Sequence, residues 1–286
     1  ADVFDFRESD RVLHVAPLSH GSGIYLIPSL ARGAENIIYD RSGFRPAEVF
    51  DTVAVFSITV VAFVAPTMIV RLLEAPPRDD IGSLRGVIYG GATIHLEHIR
   101  AAVARFGPIF HQLYGQGEAP MTISYLPGAV HLGADDETLL SAGYVRAGVE
   151  VRILDDSDND VPAGQDGEIC VRGDVVMKGY WRNREATSKA LRGGWLHTGD
   201  VAVKDEEGYF YIVDRTKDLI KTGGEWISSA ELENWIAAAP DVAEAAVIGR
   251  PDPKWDERPV GIVVPAEGHN PTPDTIRAAS SARRPW

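Results

Sequence analysis

A single cysteine among 286 residues, Cys170, excludes an internal disulfide. Basic residues are also in short supply: 28 Lys+Arg against 41 Asp+Glu leave a net charge of −13. That balance argues against nucleic acid or an anionic membrane as the main partner. It also means that a polyphosphate substrate needs a metal ion and local basic groups. No long uninterrupted apolar span is present. Val53 to Val70 is uncharged, but Pro66 breaks it and Ile58 to Val64 is rich in β-branched residues. A buried parallel strand, then a helix from about Thr67, explains it better than a membrane span. Ala1 to Asp10 carries four acidic residues and no apolar centre, unlike a signal peptide. These absences predict a cytoplasmic protein with no nucleic-acid partner and no membrane span.

What remains is ordinary for a globular protein, 45% apolar and 24% charged, and long enough for two domains. Strand-like runs at Arg11–Val15, Ile37–Tyr39, Ile58–Ala65, Leu84–Tyr89 and Ile109–Leu113 alternate with helical stretches at 46–54, 68–74 and 96–106. This alternation predicts a parallel sheet covered on both faces, with ligands beyond the carboxyl ends of its strands. Two loops therefore matter, Gly90-Gly91-Ala92 and Tyr114-Gly115-Gln116-Gly117-Glu118, while Pro17–Gly23 with His20 reads as the loop of a strand-loop-helix unit. In the Tyr114–Glu118 loop, an aromatic face suits a purine, a carboxylate suits a hard cation, and glycines allow close approach. By themselves these residues fit an exposed turn as well as a nucleotide site, and His20 fits a plain loop histidine. His95 and His98 lack a third ligand at useful spacing and read as helix-surface residues. The acidic run Asp155–Asp160 fails the calcium-loop pattern, and Cys170 sits in a strand-like run as an inert buried thiol.

From Ile123 the chain turns β-rich, with strands at Val149–Leu154, Glu168–Arg172 and Val201–Val213 separated by Gly, Pro and Asp turns, as in a small antiparallel barrel or sheet. The polar run Asp214–Asp218 then reads as a joint between domains. Ser228 with Glu231 forms a capping box for a helix near Ser229. Strands at 242–249 and 259–264 and a helix from about Pro271 complete a small α+β lobe.

The ordered strings PLSHGSG, GGA, YGQGE, VRGDVVMKGYW, TGD and DRTKDLIKTGGEWISSAELE resemble the adenylate-forming (AMP-binding) superfamily, and the GGEWISS variant is most similar to fatty-acyl-CoA ligases. The resemblance covers nearly the whole chain. It implies part of a large layered α/β N-terminal domain over 1–213 (α/β portion 1–122, β-barrel-like subdomain 123–213), a hinge over 214–217 with Lys217, and part of an α+β C-terminal domain over 218–286. It also implies ATP-dependent activation of a carboxylic, expected fatty, acid to an acyl-adenylate and then a CoA thioester, with ATP, CoA and the acid as small-molecule partners and Mg2+ as cofactor. Tyr114, Gly91, Ala92, Gly115, Gly117, Asp200 and Arg215 would hold the nucleotide. Glu118 would hold the metal and, with Lys221, act in catalysis. His20, Gly90, Gly223, Gly224 and Trp226 would line the acyl and CoA pocket. Two departures stand out: Gly117 replaces the pattern's threonine hydroxyl, and Thr93 stands where proline is common. Neither the family's glycine-rich Ser/Thr phosphate loop nor its distal lysine motif occurs in these residues, so the chain as given is expected not to turn over by itself. A luciferase-like or peptide-synthetase adenylation domain, or a non-catalytic nucleotide-binding remnant, is the alternative.

Overall fold

The structure, a computed structural model, describes residues 2–41, 43–216, 218–222, 225–237 and 239–281, with side chains except those of Asp2, Glu225, Trp226 and 278–281. Five strands run parallel: β1 (Arg11–His14), β2 (Glu35–Ile38), β3 (Val60–Val64), β4 (Gly86–Gly90) and β5 (Phe110–Gln116). The antiparallel strands β6 (Ala119–Leu126) and β7 (Tyr144–Val145) extend them to a seven-stranded sheet of order β2-β1-β3-β4-β5-β6-β7. All five side chains of β3 and all five residues of β4 are buried, as expected of strands covered on both faces. Adjacent residues divide between two cores. Leu13, Val61, Val87, Tyr89 and Phe110 pack on one side with Phe50, Ile69 and Ile99. Val12, Val60, Ala62, Ile88 and Leu113 pack on the other with Phe4 and Tyr25.

The helices are α1 (Leu26–Ala31), α2 (Pro46–Phe56), α3 (Pro66–Glu74), α4 (Leu96–Phe106), α5 (Gly128–His131) and α6 (Asp136–Leu140). Proline opens α2 and α3, where its missing N–H costs nothing, so Pro66 starts a helix within the uncharged run. Among the described residues no helix is long and apolar enough to cross a membrane. A second sheet contains β8 (Glu150–Leu154), β9 (Asp166–Arg172), β10 (Leu196–Lys204) and β11 (Phe210–Arg215) in the order β11-β10-β9-β8, and α7 (Arg184–Ala190) lies between β9 and β10 in the chain. A third sheet, of order β13-β12-β15-β14, is built from β12 (Ile220–Thr222), β13 (Glu225–Ile227), β14 (Val242–Asp252) and β15 (Asp256–Pro265), with α8 (Ser229–Ala237) and α9 (Pro273–Ser281).

The chain divides into two compact units: residues 1–152, 170–198 and 204–211 in the first, and 153–169, 199–203 and 212–286 in the second. The mixed α/β class with a parallel sheet is as the sequence predicts. The β14–β15 ladder is longer than its sequence pattern suggests, because pairing continues through Pro251 and Pro259 to Asp252 and Asp256. Cys170 is wholly buried in β9, its Sγ 3.2 Å from His197 Nδ1. The acidic run is an exposed turn in which Asp155 accepts from the amides of Ser157 and Asn159.

Two histidines in the first unit make its stability pH-dependent. His131 donates from Nδ1 to Pro127 O, so its Nε2 accepts the Tyr89 hydroxyl at 3.1 Å. His111 Nδ1 accepts the Gly128 amide. Burial, then the charges of His131 and Arg85, pushes His111 down to about 4, and burial also lowers His131. A histidine whose folded pKa is depressed binds its proton more readily when unfolded, so its stabilising share is complete above the unfolded value of about 6.5 and is lost as pH falls toward 4. At about 1.4 kcal/mol per pH unit, acidification from 6.5 to 5 should cost about 2 kcal/mol through His111. Urea unfolding at the two pH values measures it. His111→Gln, which keeps an acceptor for Gly128, should flatten the slope, and an unchanged slope would refute the assignment.

Candidate active site

The loops following β1, β4 and β5 all leave the carboxyl ends of parallel strands, where an open α/β sheet presents its ligand crevice. The segment after β1 is pinned from below. His14, 1% exposed, contacts Ser22 Oγ at 2.9 Å and Asn36 Oδ1 at 2.8 Å, and Ser22 donates to Ala62 O of β3. This network fixes the backbone that carries His20, whose exposed ring lies 6.0 Å from that of Phe63.

Phe63 and Met121 are non-glycine residues with φ of +61° and +55°. Such backbone costs energy and persists only where its surroundings impose it. Both side chains converge on Gly21: a Cβ there would stand 2.6 Å from the Met121 methyl and 2.8 Å from the Phe63 ring. The same phenyl reaches to 3.3 Å of a Cβ on Gly91. His20, Gly91, Phe63 and Met121 are thus drawn together in one unit. Phe63 and Met121 were invisible in the sequence, where each reads as one more apolar strand residue.

The five-residue loop expected at Tyr114–Glu118 is shorter in the structure. Tyr114, Gly115 and Gln116 continue β5, and only Gly117 and Glu118 make the turn into β6. Pairing with β6 extends the strand, with an irregularity between Tyr114 and Gln116. Gly117 is exposed with open space around it, and Tyr114 is half-buried. Glu118 is half-buried, and its Oε1 accepts the Tyr180 hydroxyl at 2.6 Å. Magnesium binds oxygen donors, commonly one or two carboxylates together with substrate phosphates. Among the described residues Glu118 Oε2 accepts no hydrogen bond, so this donor set fits the ion.

Asp200, Arg215 and Lys221 belong to the second unit. Asp200 lies in the middle of β10, which begins at Leu196, ahead of the strand predicted from Val201. It is 8% exposed and pairs with Arg215 Nε at 3.4 Å. The strand tolerates Gly199 at φ +73° because its amide donates to Glu168 Oε1 and its carbonyl accepts the Thr216 amide. Lys221 Nζ stands 4.0 Å from Asp256 Oδ2. Lys217, Gly223 and Gly224, together with the Trp226 side chain, lie outside the described residues. A cavity of about 470 Å³ in this unit is lined by Asp214, Glu233 and Glu257 among others and by none of the predicted site residues. The carboxylates of Asp214, Glu233 and Glu257 are engaged by the backbone amides of Ser229, Val247 and Lys221 respectively, a structural use.

Comparison with known proteins finds similarity along nearly the whole chain. Residues 1–181 match the family model described as AMP-binding enzyme, and residues 231–283 match AMP-binding enzyme C-terminal domain. The chain is 40% identical over 263 residues to the medium/long-chain-fatty-acid–CoA ligase FadD8 of Mycobacterium tuberculosis, covering 91% of this chain and 45% of the relative. It is 40% identical over 279 residues to a feruloyl-CoA synthase of an Amycolatopsis species, covering 96% and 55%. The solved amide bond synthetase McbA of Marinactinospora thermotolerans superposes with a TM-score of 0.88 at 36% identity, covering 98% of this chain and 57% of that one. The chain spans about half the length of the curated relatives it matches.

Proposed function

Because this chain belongs to the AMP-binding enzyme family, we propose that it is part of an acyl-CoA ligase. A carboxylic acid attacks the α-phosphate of ATP to give an acyl-adenylate and pyrophosphate, and CoA then displaces AMP. The observation that carries this reading is the placement of the His20, Gly90–Ala92 and Tyr114–Glu118 segments at the carboxyl ends of β1, β4 and β5. In it, Tyr114 stacks on adenine beside Gly91, Ala92, Gly115 and Gly117, Asp200 accepts both ribose hydroxyls, and Arg215 faces ribose or phosphate. Glu118 would hold Mg2+, which when bound offsets the negative charge that develops on the phosphates. Gly90, His20, Gly223, Gly224 and Trp226 serve the acyl and CoA pocket, and Lys221 acts in catalysis. Lys217 is the hinge between an N-terminal domain ending near 213 and a C-terminal domain from 218, an arrangement suited to two half-reactions around one adenylate. The proposed acid is apolar, of the fatty-acid type, since the Phe63 and Met121 side chains crowd the loop that carries His20.

A second reading, amide synthesis, is favoured by the likeness to an amide bond synthetase; it shares the adenylation and differs in the nucleophile. The test supplies ATP, magnesium and a panel of fatty and aryl acids to a full-length ligase that contains these residues, and follows pyrophosphate release. CoA or an amine is then added, and the thioester or amide is measured. Thioester formation supports the first reading and amide formation the second. AMP binding without acid-dependent pyrophosphate release would overturn both in favour of a nucleotide-binding role.

A further inference from the structure

The segment between β9 and α7 bears directly on Glu118. Tyr180 donates its hydroxyl to Glu118 Oε1 at 2.6 Å, and the Met177 amide donates to Glu118 O at 2.7 Å. Side chain and backbone of the same glutamate are therefore held by one short stretch, Met177–Tyr180. That stretch is itself anchored. The Tyr180 amide donates to Thr187 Oγ1 at 2.9 Å, and Thr187 in α7 donates onward to Asn183 O at 2.7 Å. Asn183 caps α7 by accepting the Ala186 amide. Gly179, at φ +144°, lets the backbone pass Thr187, since a Cβ there would meet the Thr187 methyl at 2.7 Å. Tyr180 is 39% exposed and next to the 87% exposed Trp181, so burial of the ring does not account for the contact.

We propose that Tyr180 is a positioning residue for the metal-binding carboxylate: its phenol fixes Glu118 through Oε1 and leaves Oε2 directed to a divalent cation that also contacts nucleotide phosphate. The proposal rests on Glu118 being the metal ligand, as the proposed function has it. An oxygen ligand on a long side chain must lose rotamer freedom when it binds a cation, and a fixed donor removes that loss beforehand. Hydrogen-bonding partners behind metal ligands typically contribute about 10–100-fold to metal affinity. Thr187 supports the same contact one step further away, through the Tyr180 amide.

The probe is Mn2+, titrated into the 286-residue chain in the presence of ATP and followed by electron paramagnetic resonance, with AMP affinity in EDTA and the melting temperature as controls. Tyr180→Phe is expected to raise the Mn2+ dissociation constant about tenfold while metal-free AMP affinity and melting temperature stay unchanged. Thr187→Val should produce a smaller rise in the same direction. If Tyr180→Phe lowers metal-free AMP affinity and melting temperature along with Mn2+ affinity, its role is structural and the proposal is overturned. If Glu118→Gln weakens Mn2+ and Tyr180→Phe does not, the positioning role is overturned and Glu118 remains the ligand. If neither variant weakens Mn2+, the assignment of Glu118 fails and the proposal with it.

Discussion

Asp200→Ala is expected to weaken AMP binding by about a hundredfold. The carboxylate is 8% exposed and held at 3.4 Å from Arg215 Nε, so its orientation is set before any nucleotide arrives. One ionised carboxylate can accept from two adjacent ribose hydroxyls, and each hydrogen bond to a charged group is worth roughly 1.5–3 kcal/mol. Two such bonds exceed the 2.7 kcal/mol that a hundredfold change requires. Truncation also leaves Arg215 without this anion, which should draw its guanidinium elsewhere and add to the loss. Asp200→Asn keeps the shape and one acceptor, so it should bind AMP more tightly than the alanine variant and less tightly than the parent. Calorimetry with AMP decides the matter. Parent-like affinity in Asp200→Ala, with an unaltered melting temperature, would remove Asp200 from the nucleotide site.

Asp214→Ala should reduce the stability of the second unit by about 3–5 kcal/mol. The carboxylate is 9% exposed at the end of β11 and gathers donors from several directions. Its Oδ2 accepts the Ser228 hydroxyl at 3.0 Å, the Ser229 amide at 2.7 Å and the Ser229 hydroxyl at 3.1 Å, while Oδ1 accepts the Arg215 amide at 2.7 Å. Ser229 is itself buried, so truncation strands its amide and its hydroxyl away from water, at roughly 1–3 kcal/mol each, while the Ser228 hydroxyl keeps Val213 O as an acceptor. The negative charge at the first turn of α8 also complements the helix dipole and is lost with it. A domain rests on only about 5–15 kcal/mol in total. Urea unfolding should therefore show a much earlier transition, and trypsin should cut residues 212–286 sooner. Asp214→Asn, which keeps an acceptor for Ser229, should recover about half. A midpoint unchanged in the alanine variant would contradict this account.

Asp214 also marks the limit of sequence reading. In the string Asp214-Arg215-Thr216-Lys217-Asp218 nothing separates a buried aspartate from a solvated one, and the run reads as a uniformly polar joint. Fourteen and fifteen residues later, two serines turn that aspartate into the anchor of α8. The capping box was legible because it is local: the Glu231 amide does donate to Ser228 Oγ at 3.1 Å. Its partner from β11 was not, because it comes from a distant part of the chain.

The same division runs through the candidate site. By itself the sequence determined the α/β alternation, since side-chain periodicity and proline or glycine punctuation act within a few residues of each other. It determined the parallel strands buried on both faces, and it displayed the ordered motif strings that resemble the AMP-binding superfamily. It could not show that Tyr114 to Gln116 remain in β5, because the strand is prolonged by pairing with β6. Nor could it show Phe63 and Met121 turned to positive φ against Gly21, since 42 residues of chain separate Gly21 from Phe63 and a further 58 lead to Met121. The Tyr180–Glu118 bond spans 62 residues, and its tyrosine was visible only as one of several aromatics beside a glycine. Local chemistry is written in neighbouring residues; which carboxylate meets which hydroxyl is set by chain crossings that only the packed fold brings about.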